Sequence, residues 1–185
     1  MIRLKEKYKK EVIPQMMAKF GYKSPMAVPK IEKVAVNSGF GRLVAGKTNQ
    51  EQEKIQESIL NDLSLICGQR AVLTLAKKAI AAFKVREGMP LGVMATLRRK
   101  KMHDFLERLI NVALPRSRDF RGIEVKSFDK NGNLTIPIKE HIIFPEISPE
   151  KSKIIFGFEV TIATNAGTRQ EGVELLRLLG FPIKS

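Results

Sequence analysis

The sequence predicts an α+β fold: a mainly antiparallel sheet with helices packed on one face and the other face left open. Three observations lead there. Residues 31–37, 91–98 and 155–163 alternate apolar and polar side chains with the period of two that a half-buried strand requires. Between and around them, apolar residues recur at spacings of three and four, the period of one helix face. Asn131-Gly132, between Phe128 and Leu134, is a strong short hairpin signal, because both residues tolerate the positive φ of a type I′ turn. A chain of 185 residues is long enough for one substantial core, and no linker or repeat interrupts it, so one domain over 1–185 is expected.

The elements follow in order. Leu4, Tyr8, Val12, Met16 and Phe20 lie every four residues, which predicts a helix with Lys5, Lys9, Lys10 and Lys19 on its other face. Such a basic amphipathic helix either docks on its own domain or lies on a membrane surface. Pro25 and Pro29 then precede the first strand, in which Val34 and Val36 face one way and Lys33, Ala35 and Asn37 the other. A helix over 49–66 sets Ile55, Ile59, Leu63 and Ile66 in register, and 71–75 is a short strand. In the strand over 91–98, Val93, Ala95 and Leu97 oppose Met94, Thr96 and Arg98. A helix over 102–114 stacks Phe105, Leu109 and Val112 and is expected to stop at Pro115. Phe156, Phe158, Val160 and Ile162 share one strand face. Val173, Leu176 and Leu179 then repeat in a last helix closed by Gly180.

Composition and charge narrow the function. The net charge is +14, and it is not spread evenly. Residues 69–101 hold nine cations (Arg70, Lys77, Lys78, Lys84, Arg86, Arg98, Arg99, Lys100, Lys101) against Glu87 alone, whereas 31–68 is net negative. A surface that repels itself so strongly in one region calls for a polyanion, and the open sheet face is read as a face for RNA. No apolar run approaches the roughly 20 residues of a membrane span, and the charged N-terminus lacks the pattern of a secretory signal. Cys67 has no partner for an internal disulfide, which fits a reducing cytoplasm, and it ends an apolar helical pattern as a buried residue would.

Residues 41–48, GRLVAGKT, match the phosphate-binding pattern G-x-x-x-x-G-K-[ST] between a strand and a helix. In that reading backbone N–H groups from Gly41 to Gly46 cradle phosphates, Lys47 reaches the outer ones and Thr48 holds Mg²⁺. Three features weigh against it. No later apolar strand ends in an aspartate for the metal. Glu51, Glu53 and Glu57 crowd the following helix, and the basic charge lies elsewhere. Nucleotide binding through Gly41–Thr48 stays the alternative. His103, His141 and Cys67 show no ligand spacing, so no metal or cofactor is expected; His103 is read as a surface residue, and no catalytic residue is assigned.

The strings VPKIEKVAVNSGFG, GQRAVLTLAKKAIAAFKVREGMPLGVMATLRRKKMHDFLERLINVALPRSRDFRGI, SFDKNGN and IIFPEI resemble, in order and spacing, the 5S-rRNA-binding ribosomal protein L5 family of the bacterial large subunit. The resemblance runs the length of the chain and is densest between Pro29 and Ile147. It implies a non-enzymatic, cytoplasmic ribosomal protein that anchors 5S rRNA in the central protuberance, beside large-subunit rRNA and neighbouring large-subunit proteins. The matching 5S rRNA contacts are Asn37, Gln69 and Thr96, and Lys33, Arg98 and Arg99 are the cations expected on phosphates. A loop over 74–83, including Thr74 and Phe83 with Lys77 and Lys78 at its tip, is implied to touch peptidyl-site tRNA. Arg116, Arg118, Arg121 and Asn131 fall where the family bridges to a protein of the small-subunit head. The GKT of 46–48 and the wording of 148–168 depart from the family pattern.

Overall fold

The fold is that of a computed structural model, which describes residues 3–118, 120–148, 150, 152 and 154–184. In chain order the helices and strands are α1 (Leu4–Lys7), a π-helical turn (Tyr8–Val12), α2 (Ile13–Phe20), β1 (Ile31–Gly39), α3 (Gly41–Val44), α4 (Asn49–Cys67), β2 (Val72–Leu75) and β3 (Pro90–Leu97). They continue with α5 (Arg99–Arg108), a second π-helical turn (Leu109–Ala113), α6 (Leu114–Arg116), β4 (Leu134–Ile138), β5 (Phe158–Thr164) and α7 (Arg169–Leu179). The strands form one five-stranded antiparallel sheet in the order β2-β3-β1-β5-β4. The chain is therefore α+β, as the alternation predicted.

Burial along β1, β3, β4 and β5 has the expected period; β2 departs from it, with Val72, Leu73 and Leu75 all exposed. Val34, Val36 and Ser38 of β1, Val93, Ala95 and Leu97 of β3, and Phe158, Val160 and Ile162 of β5 are buried, while Lys33, Asn37, Met94 and Glu159 are exposed. One side of every one of these strands is thus core and the other is solvated, the division that an antiparallel sheet permits.

Contacts divide the chain into two compact units, one of Met1–Val34, Arg98–Ile136 and Thr161–Ser185, the other of Ala35–Leu97 and Pro137–Val160. In the first, α1 packs on α5, and α7 packs on α2 and on the π turn at Tyr8–Val12. Leu4, Val12 and Met16 are buried there, so the apolar stripe of the N-terminal helix is covered by its own unit and not by a membrane. Lys7 Nζ donates to the Leu179 carbonyl at 3.3 Å, and Lys19 pairs with Glu174 at 2.8 Å. Both π turns precede a proline, Pro14 in α2 and Pro115 in α6. A proline inside a helix lacks an N–H and presses its ring on the carbonyl four residues back; a wider turn relieves both. The helix expected to stop at Pro115 consequently runs on to Arg116.

In the second unit α4 packs on β3, and Ile55, Ile59, Leu63 and Ile66 are all buried. Burial of four such side chains contributes roughly 1.5–3 kcal/mol each before entropy is counted. Cys67 is buried, as expected. Two sequence expectations shift. The last strand begins at Phe158 rather than at 155, and Phe156, though buried, stacks on His141 with ring centroids 4.0 Å apart. The hairpin at Asn131-Gly132, in the first unit, places only Gly132 at positive φ (76°), so it is not a type I′ turn. The Asp129 carboxylate replaces the second positive φ. It accepts from the backbone N–H of Asn131 and Asn133 at 2.9 and 2.8 Å and closes a five-residue loop over 129–133 between the paired Phe128 and Leu134.

Candidate nucleic-acid interface

The open strand face carries the first group of predicted residues. On β1, Asn37 is exposed opposite Val36 and Ser38; on the neighbouring β3, Thr96 is half-exposed between Ala95 and Leu97. Gln69 reaches the same strand from the end of α4. Gly68 adopts φ +61° and turns the chain, after which Gln69 Nε2 donates to the Thr96 carbonyl at 3.0 Å. These three residues belong to the second unit. Gln69 and Thr96 are joined directly, and Asn37 shares the solvated face of the adjacent strand.

Lys33, Arg98 and Arg99 belong to the first unit and are exposed. Arg98 is extended, and Arg99 opens α5 at φ +53°, a left-handed conformation that costs a side-chain-bearing residue on the order of 1–2 kcal/mol. The first turn of α5 then holds Arg99, Lys100 and Lys101, with no acidic residue and no capping side chain. Cations at a helix N-terminus oppose the helix dipole. Four consecutive cations there, one of them strained, are an arrangement that an anion stabilises.

The cations at 77, 78, 84 and 86 sit on the connection between β2 and β3. Thr74 lies opposite Gly92, where a Cβ would stand 2.6 Å from Thr74 Oγ1 and 2.9 Å from the Ser38 carbonyl, so only glycine lets the strands close. Ala76 N–H donates to the Met89 carbonyl at 2.8 Å, and Ile80 and Val85 exchange backbone hydrogen bonds at 2.9 and 3.1 Å. The loop is therefore a hairpin over 76–89 with an inner rung. Its tip is the 3₁₀ turn Ala81–Phe83 followed by Lys84 at φ +54°, not Lys77 and Lys78, which project from its first arm. Lys77, Lys78 and Phe83 are exposed, and Thr74 is half-buried in β2. Among the described residues none of the nine cations of 69–101 is paired with a carboxylate.

Arg116 ends α6, and Arg118, Arg121 and Asn131 lie on connections of the first unit, Arg121 and Asn131 exposed. The segment at 116–122 and the turn at 129–133 are held by separate contacts. The first is anchored by Ile123, whose N–H donates to the Pro182 carbonyl at 2.8 Å, and the second by the Asp129 carboxylate; Asp119 lies outside the described residues.

The phosphate-loop alternative fails on geometry. Gly41–Val44 is a helical turn, and the N–H groups of Leu43, Val44, Ala45 and Lys47 donate to the carbonyls of Phe40, Phe40, Gly41 and Val44. Of the donors from Gly41 to Gly46 that would cradle phosphate, those of Leu43, Val44 and Ala45 are already used inside the turn. Thr48 is equally committed: its N–H and hydroxyl both donate to the Glu51 carboxylate, at 3.1 and 2.9 Å, which caps α4. The Thr48 backbone N–H, first among several contacts, holds that carboxyl below its ordinary value.

One buried polar cluster was invisible in the sequence. His141 Nε2 lies 2.9 Å from Ser152 Oγ and 3.4 Å from Asp62 Oδ2, while Nδ1 accepts the Phe156 N–H at 3.4 Å. Because Nδ1 accepts, the neutral ring carries its proton on Nε2 and donates it toward Ser152 and Asp62. A histidine that donates to a serine cannot take that serine's proton, so the trio is structural. Burial pushes the His141 pKa down. His103, expected at the surface, is half-buried, and burial followed by the Lys5 charge lowers its pKa too.

Comparison with known proteins places this architecture. Residues 24–86 match the family described as Ribosomal protein L5, and residues 90–183 match the C-terminus of that same ribosomal family. Large ribosomal subunit protein uL5 of Desulforapulum autotrophicum is 53% identical over the whole of both chains. The uL5 proteins of Halothermothrix orenii and Geobacter sulfurreducens are each 50% identical, over 97% of both chains and over 100% and 99% respectively. The chain belongs to the ribosomal protein L5 family, structural proteins of the ribosome and not enzymes.

Proposed function

We propose that this chain is a structural constituent of the large ribosomal subunit that binds 5S rRNA and anchors it in the central protuberance. Asn37, Gln69 and Thr96 supply hydrogen-bonding groups for ribose and base edges, and Lys33, Arg98 and Arg99 meet phosphates. The hairpin over 76–89, through Lys77, Lys78 and Phe83, contacts peptidyl-site tRNA. Arg116, Arg118, Arg121 and Asn131 contribute to a bridge with a protein of the small-subunit head. Large-subunit rRNA and neighbouring large-subunit proteins complete the surroundings, in the cytoplasm. The observation that carries the reading is the unpaired cation density of 69–101, held on an exposed hairpin and at the start of α5. The solvated faces of β1 and β3 support selectivity, since they offer neutral donors and acceptors, whereas the buried faces are apolar apart from Ser38, whose hydroxyl already donates to the Gly157 carbonyl.

The test is competition binding to 5S rRNA against tRNA and an unrelated structured RNA at about 0.15 M salt, where nonspecific attraction is already screened. A clear preference for 5S rRNA, weakened by Thr96→Val or Asn37→Ala, is expected. Equal affinity for all three RNAs would reduce the basic stretch to a generic polyanion patch.

A further inference from the structure

The hairpin over 76–89 does not stand alone in its unit; with the stretch over 41–52 it bounds two cavities of opposite character. The first, of about 620 Å³, is walled by Ala45, Ala76, Ile80, Phe83, Val85 and Leu91. Arg42, Lys77 and Lys78 stand at the same cavity. The second, of about 480 Å³, is polar and brings Lys47 of the former phosphate-loop motif together with Lys84, Arg86, Asn49 and Gln52, three cations against the one carboxylate of Glu87. Phe83 is 70% exposed and Ile80 47% exposed, so two large apolar side chains lie open in the most cationic part of the chain. Solvated cations alone would not need them there. An exposed apolar wall that is concave and ringed by positive charge fits a ligand with a flat apolar body and anionic flanks.

We infer that the cavity between 41–45 and 76–91 receives one unpaired RNA base, stacked against Phe83, with the flanking phosphates on Lys77, Lys78 and Arg42. An aromatic platform in a positively charged groove is how unpaired nucleotides are held without a sequence code. The polar cavity at Lys47, Lys84 and Arg86 then carries the strand's backbone onward. This gives Lys47 a phosphate to meet without a triphosphate cradle. It also gives Lys84 a reason to hold its left-handed conformation at the hairpin tip, which sets Phe83 and Val85 toward one cavity and Lys84 and Arg86 toward the other. The inference rests on the RNA-binding reading and adds to it a base-sized pocket in place of a surface contact.

The experiment uses a seven-nucleotide single-stranded RNA with 2-aminopurine at its centre, and the same strand with an abasic ribose there. Titration of the full-length protein should change the 2-aminopurine fluorescence, and the abasic strand should bind about 5- to 150-fold more weakly, the range for loss of one stacked base. Phe83→Ala empties the platform and Ala45→Leu fills the cavity from its exposed rim; each should erase that difference while leaving thermal stability unchanged. Equal affinity for the two strands would overturn the inference, because the groove would then be reading backbone alone. Association with phosphatidylglycerol vesicles that Phe83→Ala removes, without any base effect, would overturn it in favour of a lipid surface. If the base effect is missing but 5S rRNA is still preferred, only the pocket is lost; if no RNA binds, the underlying reading falls with it.

Discussion

At the scale of single residues, the chain gives up stability where it gathers charge. Arg99 holds φ +53° at the start of a helix whose first turn is entirely basic. Arg99→Gly removes both the strain and one misplaced charge. It should raise stability by about 1 kcal/mol, or roughly 2–4 °C in Tm for a chain of this size. The same change should weaken RNA binding, so thermal melts and RNA titrations are expected to move in opposite directions; a variant worse in both would mean that Arg99 is structural. His141 gives the opposite kind of residue, one whose protonation is harmful. Its folded pKa is depressed, mainly by burial, with Asp62 and Glu140 pulling the other way and losing. The unfolded chain therefore binds the proton more readily. The stability tied to His141 is whole above the unfolded value of about 6.5 and drains away as pH falls below it. A protonated ring would also turn Nδ1 into a donor facing the Phe156 N–H. His141→Gln, made in a His103→Gln background so that the other depressed histidine does not contribute, should melt lower at pH 7. Its loss of stability between about pH 6.5 and 5 should be shallower than that of His103→Gln alone. Parallel pH profiles would exclude His141 as the source.

At the scale of elements, periodicity carried most of what was legible and close backbone approach carried most of what was not. Ile55, Ile59, Leu63 and Ile66 named the buried face of α4, and Val34, Val36, Val93, Ala95 and Leu97 named the buried side of two strands, because burial imposes its period on sequence directly. Asn37 and Thr96 could be placed on the solvated side by the same alternation. The hairpin tip could not, since the rung between Ile80 and Val85 depends on a pairing of non-alternating residues. Neither could the two cavities, whose walls come from stretches far apart in the chain. The contact between the turn at Gly132 and helix α7 was hidden for the same reason. Gly172 lies in the first full turn of α7, and a Cβ there would stand 2.4 Å from both the Gly132 Cα and its carbonyl oxygen. These are backbone atoms, so relief requires moving the turn or the helix. Gly172→Ala should therefore destabilise by about 2–3 kcal/mol despite the better helix propensity of alanine, lowering Tm by roughly 5–10 °C. Gly167→Ala, whose added carbon meets only the Glu171 carboxylate at 3.4 Å, is the control and should melt close to the parent. If the two variants melt alike, the turn and helix are not in contact.

At the scale of the whole molecule, a net charge of +14 acts on folding and on binding with opposite signs. In the free protein the cations of 69–101 have no carboxylate partners among the described residues, so they repel one another, and added salt screens that repulsion. Raising ionic strength should accordingly raise the Tm of the free protein. In the complex the same cations have displaced condensed counterions from RNA, and salt drives those counterions back. If about six phosphates are neutralised, log affinity should fall with log salt at a slope near −4 to −5. Between about 0.05 and 0.2 M salt that is a loss of about 250- to 1,000-fold, over a range in which the free protein becomes more stable. The pairing of the two trends is what distinguishes the argument. A protein weakened toward RNA because salt unfolds it would lose Tm and affinity together. A protein that recognises RNA mainly through the neutral groups of its strand face would show a nearly flat slope, and Asn37, Gln69 and Thr96 would then carry the affinity as well as the selectivity. Measuring melts and RNA titrations on one preparation across that salt range separates the three cases. A rising Tm with a steeply falling affinity is the outcome that an unpaired cationic surface, built for a partner absent from the folded chain, requires.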